Sequence, residues 1–346
     1  MRTHTALVMV TGLSLGALAF PTFSACGGSV APAPPDEIPD ASSAVIAACN
    51  ASAAAVCGLQ TKCNPAAQVQ DYGDAGTCLA RQKTSCIVSL VTPRTGANPA
   101  HTTGCAAAET LESCHDDLDL VIASACTQVT GPLTTGTACL RAGQCASGFC
   151  AIPPQSVCGT CAPPPAEGAS CLALTTCGQG LTCHDGVCIG FVTADGGACD
   201  QESKECGAGL QCVGSIAAGT ATCMPTATTV GATCDPTGTL FGGCDTQLSL
   251  FCVSDEQLST YGTCQSKAVA SDGMPCGGVH GIETLCASGT CVKQGDAGAT
   301  CVARAPDDAP CNTVTGPACL APSRCLGTAL DGGTSGTCQL PAAACP

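Results

Sequence analysis

Apolar positions along this chain follow three patterns. The first is one continuous run, Ala6 to Phe20, preceded by Arg2 and followed by small residues. A short positive region, an apolar stretch and small residues make a secretory signal, too short and wrongly flanked for a spanning helix. The second pattern covers residues 42–131, where alanines recur in long stretches with spaced cysteines. The third begins near Gly136, where apolar residues stand in twos and threes beside cysteines, punctuated by Gly and Asp.

The second pattern predicts helices. "SSAVIAACNASAAAVCGLQTKC" opens on Ser, a good N-cap, and is rich in Ala. "GTCLARQKTSCIVSL" and "GCAAAETLESCHDDLDLVIASAC" are the next two candidates. This region holds eight cysteines: Cys49, Cys57, Cys63, Cys78, Cys86, Cys105, Cys114 and Cys126. Cys49 and Cys57 are eight residues apart, as are Cys78 and Cys86. At about 100° per residue, eight residues fall about 80° beyond two full turns, so each pair shares one broad helix face. Two antiparallel helices riveted by Cys49–Cys86 and Cys57–Cys78 are the expected arrangement.

The third pattern repeats. Its units open "GTACLRAGQCASGFC", "GASCLALTTCGQGLTC", "GGACDQESKECGAGLQC", "GATCDPTGTLFGGCDTQLSLFC", "GMPCGGVHGIETLCASGTC" and "APCNTVTGPACLAPSRC". Six imperfect copies, at about 136–161, 168–188, 197–223, 231–264, 273–301 and 309–338, read as an array of small units with a period of roughly 30–40 residues. The frame is a Gly or Ala, one or two residues, then four cysteines. These are Cys139, Cys145, Cys150 and either Cys158 or Cys161; Cys171, Cys177, Cys183 and Cys188; Cys199, Cys206, Cys212 and Cys223. The later copies supply Cys234, Cys244, Cys252 and Cys264; Cys276, Cys286, Cys291 and Cys301; Cys311, Cys319, Cys325 and Cys338. One of Cys158 and Cys161 is surplus to the frame, as is Cys345. The end of each copy reads as a hairpin, with tips such as "GDAG" at 295–298 suited to positive φ. A hairpin alone is marginal in water, so two disulfides per unit would supply its stability. Four cysteines allow three connectivities, and spacing does not choose among them.

Composition supports staples over a large core. Cysteines number 35, about a tenth of the 346 residues, and aromatics are 2% with no Trp. Such density belongs to oxidising compartments, where cross-links replace burial. The net charge is −15 with 11 Lys+Arg and no basic patch, which argues against nucleic-acid binding.

The signal ends in "FSAC", which resembles a bacterial lipobox although Phe23 stands in place of the usual Leu. The resemblance implies that Cys26 is the lipidated mature N-terminus; ordinary cleavage, for example after Ala17-Leu18-Ala19, is the other reading. Removing Cys26 leaves 34 cysteines, an even number that can pair completely. Residues 26–41, Pro-rich and acidic, read as a lipid-anchored tether.

In the first copy, "CLRAGQCASGFCAIPPQSVCGTC" resembles the Dickkopf N-terminal cysteine-rich type. The shared step is Cys-x-x-Gly-aromatic-Cys (Cys145, Gly148, Phe149, Cys150), followed by Cys-x-x-Cys (Cys158, Cys161). The whole layout also resembles cysteine-rich lipoproteins of myxobacteria. Later copies lack the Cys-x-x-Cys, and the signalling role of Dickkopf proteins is not carried over.

Candidate chemistry is sparse. Zinc sites want tight Cys/His pairs, and the chain has one C-x2-C with five scattered histidines: His4, His101, His115, His184 and His280. "CGTC" at 158–161 has thioredoxin-type spacing, but "APPPAEG" follows it where that motif needs a helix. Asp116, Asp117 and Asp119 cluster without an EF-hand frame and read as a solvated helix face. No G-x-S-x-G or H-E-x-x-H is present.

The expected fold is small and disulfide-rich: a signal (1–25), a tether (26–41), a stapled α-helical region (42–131) and a tandem array of cysteine-rich β-hairpin repeats (132–346). The expected function is non-enzymatic: binding or adhesion by an exported outer-membrane or cell-surface lipoprotein, with no cofactor or metal. A secreted soluble form, a structural spacer and a secreted inhibitor or enzyme are the alternatives. The expected partner is a protein or glycan, met through loops; Tyr261, Phe149 and Phe251 are the only aromatics offered as contacts, a scarcity that keeps the spacer reading open.

Overall fold

A computed structural model describes residues 41–118, 122–153, 156–171, 177–178, 181–192, 195–200, 204–215, 218–254, 261–277, 284–293, 298–327 and 334–340. The signal with His4, the tether, Cys26, Asp119, His280, residues 295–297 of the "GDAG" turn and Cys345 lie outside them. The described residues belong to one compact unit.

The helical region is built by capping residues that divide an Ala-rich text. Helix α1, Ser43–Cys63, starts at Ser42, whose side chain accepts from Val45 N. Asn64 ends α1 and caps α2, Pro65–Tyr72, accepting from Ala67 N with Pro65 in the first turn. Asp74 caps α3, Ala75–Val91, and Asn98 caps α4, Pro99–Glu109. The expected third helix across 104–126 is broken. Thr110–Ser113 separates α4 from α5, Cys114–Leu118, and the Ser113 hydroxyl accepts from Asp116 N at 3.1 Å. The short α2 was not expected.

Disulfides replace the missing large side chains. Cys49–Cys86 and Cys57–Cys78 join α1 to α3, the pairing that the eight-residue spacing predicts. Cys63–Cys114 and Cys105–Cys126 complete the region. The last bridge needs the break in the third helix, because 21 residues of continuous helix would hold those two cysteines about 30 Å apart. The core around them is mostly small, Ala48, Ala53, Ala55 and Leu59, with Tyr72, Ile87 and Val88 as its few large side chains and Tyr72 packed on the Cys57–Cys78 bridge. Helix α1, at 21 residues, is long and apolar enough to cross a membrane; here three bridges dock it against α3 and α5.

All six repeats use one connectivity: first cysteine to third, second to fourth. The pairs are Cys139–Cys150 and Cys145–Cys161; Cys171–Cys183 and Cys177–Cys188; Cys199–Cys212 and Cys206–Cys223. They continue as Cys234–Cys252 and Cys244–Cys264; Cys276–Cys291 and Cys286–Cys301; Cys311–Cys325 and Cys319–Cys338. Cys161 therefore belongs to the frame. Cys158 is the extra residue and is also disulfide-bonded.

The third and fourth cysteines face each other across an antiparallel hairpin, as in Cys183↔Cys188 and Cys291↔Cys301, but are not bonded to each other. Each reaches instead to a cysteine of the entering segment, so the two bridges lie side by side. A second ladder ties the start of each repeat to its end. The residue three places before the first cysteine donates its N–H to the last cysteine's carbonyl: Gly136 to Cys161, Gly168 to Cys188, Gly196 to Cys223, Gly231 to Cys264, Gly273 to Cys301. In the sixth copy Asp308 does the same to Cys338. All six have positive φ, between 62° and 87°, which explains five glycines and one aspartate. The linker entering a repeat also runs parallel to its second cysteine, as in Ala227↔Cys244 and Ala305↔Cys319.

The array is docked onto the helices at both ends. In the first repeat, Gln144 Nε2 donates to Pro93 O and Arg141 to Ser89 Oγ. In the fifth, Ser288 N donates to Val69 O of α2. Beyond it, Arg304 pairs with Asp71, and Arg81 of α3 pairs with Asp307. The sixth repeat then reaches the first, Arg324 donating to Ser156 O at 3.4 Å.

Candidate functional site

The cysteines come first, because they were the leading candidates. Trios such as Cys139, Cys145 and Cys161 bring sulfurs within 4.8 Å of one another, a metal-like density. Those sulfurs stand in disulfides, and a disulfide sulfur lacks the thiolate that a zinc site uses. In "CGTC" the two cysteines do not bond to each other, since Cys161 is taken by Cys145. His184 sits at a hairpin end, 3.6 Å from the exposed Asp185 carboxylate. Asp116 is solvent-facing as expected, but Asp117 is only partly exposed and burial raises its pKa.

The aromatic expectations are corrected in part. Phe149 is 9% exposed and Phe251 8%; both are largely buried in their repeats, and Phe251 reaches the surface only where it lines the groove between the third and fourth repeats. In so small a module, a ring flanking a hairpin cysteine is what the core is made from. Tyr261 is 62% exposed, and its ring lies against Phe241, centroids 5.7 Å apart.

Phe241 is presented by a loop organised around one buried carboxylate. Asp235, 2% exposed, accepts from Thr237 N (2.7 Å), Thr237 Oγ1 (2.6 Å), Thr239 N (2.9 Å) and Leu240 N (2.7 Å). Burial pushes its pKa up, but the bonds from the Thr237 hydroxyl and the three amides prevail and hold it well below the usual range. The loop therefore keeps its shape, with Leu240 58% exposed beside Phe241.

The two ends of this loop line a groove of 450 Å³ between the third and fourth repeats. Glu205, Gln211, Asp245 and Gln247 face it together with Asp235. Gln211 Oε1 accepts from Gly243 N and bridges the two repeats, while Gln247 Oε1 is buried with no partner. The groove is polar and acidic, the loop tip apolar and aromatic. The sequence held one signal for it: "DPTGT", an Asp-Pro-x-Gly run that favours a turn closed by the aspartate side chain.

Comparison of the chain with protein-family models, with curated proteins and with solved structures gave no match. The architecture defines the class: a disulfide-rich protein, with a stapled helical region and small-sheet repeats, suited to an extracellular or otherwise oxidising compartment.

Proposed function

We propose that this chain is a non-enzymatic binding module of the cell envelope, lipid-anchored at Cys26, that recognises a glycan through its fourth repeat. One observation carries the reading: loop 235–243 sets Phe241 against the exposed Tyr261 ring, and its two ends line a polar groove. Tyr261 offers a face on which the apolar side of a sugar ring can lie. The Glu205 and Asp245 carboxylates that line the groove can accept hydrogen bonds from hydroxyls, the pairing that orients small polar ligands in such sites. A rigid scaffold with function on its loops is the usual division of labour in small modules.

The anchor rests on the thiol count. Thirty-two cysteines are taken by sixteen bridges and Cys158 is bonded as well, which leaves Cys26 and Cys345. A lipid on Cys26 gives Cys158 and Cys345 to each other, with no thiol left over.

The test is a glycan array probed with the exported full chain as a Cys26→Ala form. Saturable binding that Tyr261→Ala weakens at least tenfold supports the reading. Tyr261 is largely exposed, so the change leaves the fold intact. Binding equal in the two forms, or none to any glycan, contradicts it.

A further inference from the structure

The chain carries 26 acidic and 11 basic residues, so a cation without a carboxylate is conspicuous. Arg141 and Arg324 are two such cations. Arg141 lies in the first repeat, at its contact with α3, and Nη1 donates to Ser89 Oγ at 3.2 Å. Its Nε and Nη2 are buried and have no partner. Arg324 comes from the sixth repeat and donates a long 3.4 Å bond to Ser156 O of the first. Burial first, then the charge of Arg324, bring the Arg141 guanidinium down to about 10; burial also lowers Arg324. Among the described residues no carboxylate offsets either charge. Cations drawn partly out of water in proteins are usually paired, because an unpaired one forfeits hydration with nothing to replace it.

The unpaired atoms are a matched set. Nε and Nη2 form the side edge of a guanidinium, whose two N–H groups point the same way and suit two oxygens of one oxyanion. Arg81 shows the alternative in the same molecule, with a carboxylate on its Nη groups. We infer that Arg141 and Arg324 form a binding site for a phosphate or sulfate group at the junction of the first repeat, the sixth repeat and α3. The oxyanion takes both free hydrogens of Arg141, and Arg324, held by one long bond, turns onto it. Two repelling charges become one neutralised cluster, so the bound group also locks the two ends of the array together.

Thermal unfolding of the full chain tests this, with inorganic phosphate, glucose 6-phosphate or sodium chloride added at matched ionic strength. The expected result is a saturable upward shift in Tm with phosphate and none with chloride. A shift with glucose 6-phosphate as well means that the site takes phosphate carried on a larger molecule; a shift with the free ion alone means that it takes only the ion. Arg141→Met and Arg324→Met each remove the shift. Arg141→Lys, which keeps charge but loses the fork, removes most of it. Isothermal titration of the unaltered chain with phosphate gives a second readout, independent of whether the variants fold. No shift and no heat with phosphate, or a phosphate-specific shift retained in both Met variants, overturns the inference.

Discussion

Arg81 and Asp307, 226 residues apart, meet in a two-bond ion pair of 2.7 and 2.8 Å. The same guanidinium also donates to the Leu320 and Ala321 carbonyls and to Ser323 Oγ, and Ser323 in turn donates to Asp307. One side chain of α3 thus gathers the linker and interior of the last repeat. Arg304 works in the opposite direction, from repeat to helix, onto Asp71 and the Gln70 carbonyl. These contacts turn an array that could have trailed away into a structure docked at both ends.

Removing Arg81 should therefore loosen one end of the array and leave the disulfides alone. The pair is 14% and 28% exposed, so breaking it leaves a partly buried carboxylate unpaired. Arg81→Ala is expected to cost about 2–3 kcal/mol in urea unfolding, below the full cost of breaking a buried pair. Amide exchange should rise around residues 305–325. A loss below 0.5 kcal/mol, the value of an ordinary surface pair, would show that the docking is incidental.

Acid should act on the same pair. Burial raises the Asp307 pKa, but hydrogen bonds from Arg81 and Ser323 and the Arg81 charge outweigh it, so the folded value lies below the unfolded one. The stability it contributes is present above about pH 4 and is lost as pH falls through the folded value. Asp235 behaves likewise. Stability measured from pH 5 to pH 2 should fall less steeply in an Asp307→Asn variant than in the unaltered chain.

Glu109 has the opposite sign. Burial, then Glu112 and Asp117, raise its pKa to about 7, and Oε2 is buried without a partner. The folded state holds this proton after the unfolded state has lost it, so stability falls as pH rises from about 4.5 to about 7. Glu109→Gln is expected to be near neutral at pH 4 and stabilising by about 1 kcal/mol at pH 8, a value reduced for the group's contact with water. Equal effects at the two pH values would contradict the assignment.

The frame glycines give a test that involves no contact at all. A Cβ at Gly136, Gly168, Gly196, Gly231 or Gly273 would meet nothing within 4 Å, so only backbone conformation opposes a side chain there. Each Gly→Ala change should cost about 1 kcal/mol, read as a lower Tm. Asp308, at φ 62°, already bears that cost, and Asp308→Gly should be the one substitution in the set that raises Tm.

Several of these features could be read from the text of the chain. Helical spacing identified Cys49–Cys86 and Cys57–Cys78, because geometry on a helix face depends only on residue separation. The repeat frame was visible too, with its opening glycine; that this glycine's N–H closes onto the last cysteine's carbonyl, and that Asp308 takes the place in the sixth copy, was not. The connectivity was not legible: all three pairings suit the same spacings, and the choice follows from both hairpin cysteines facing the entering segment. Nor was the docking of the array, which hangs on single polar side chains such as Arg81 and Asp307. Phe149 and Phe251, offered by the sequence as aromatic contacts, are buried, since a ring beside a hairpin cysteine fills the small interior of its repeat, whereas Tyr261 stays exposed. The loop held by Asp235 lay in plain sight as "DPTG", but only coordinates reveal that its tip meets Tyr261.

If the cysteines serve as staples, and Cys26 as the anchor proposed above, every cysteine of the mature chain is bonded or lipidated. Peptide mass mapping of the protein from native envelopes, digested without reduction, tests it most directly. The expected result is first-to-third and second-to-fourth links in all six repeats, Cys158 linked to Cys345, no free thiol, and a lipid on Cys26. Free thiols within the repeats, or first-to-second and third-to-fourth links, would contradict it.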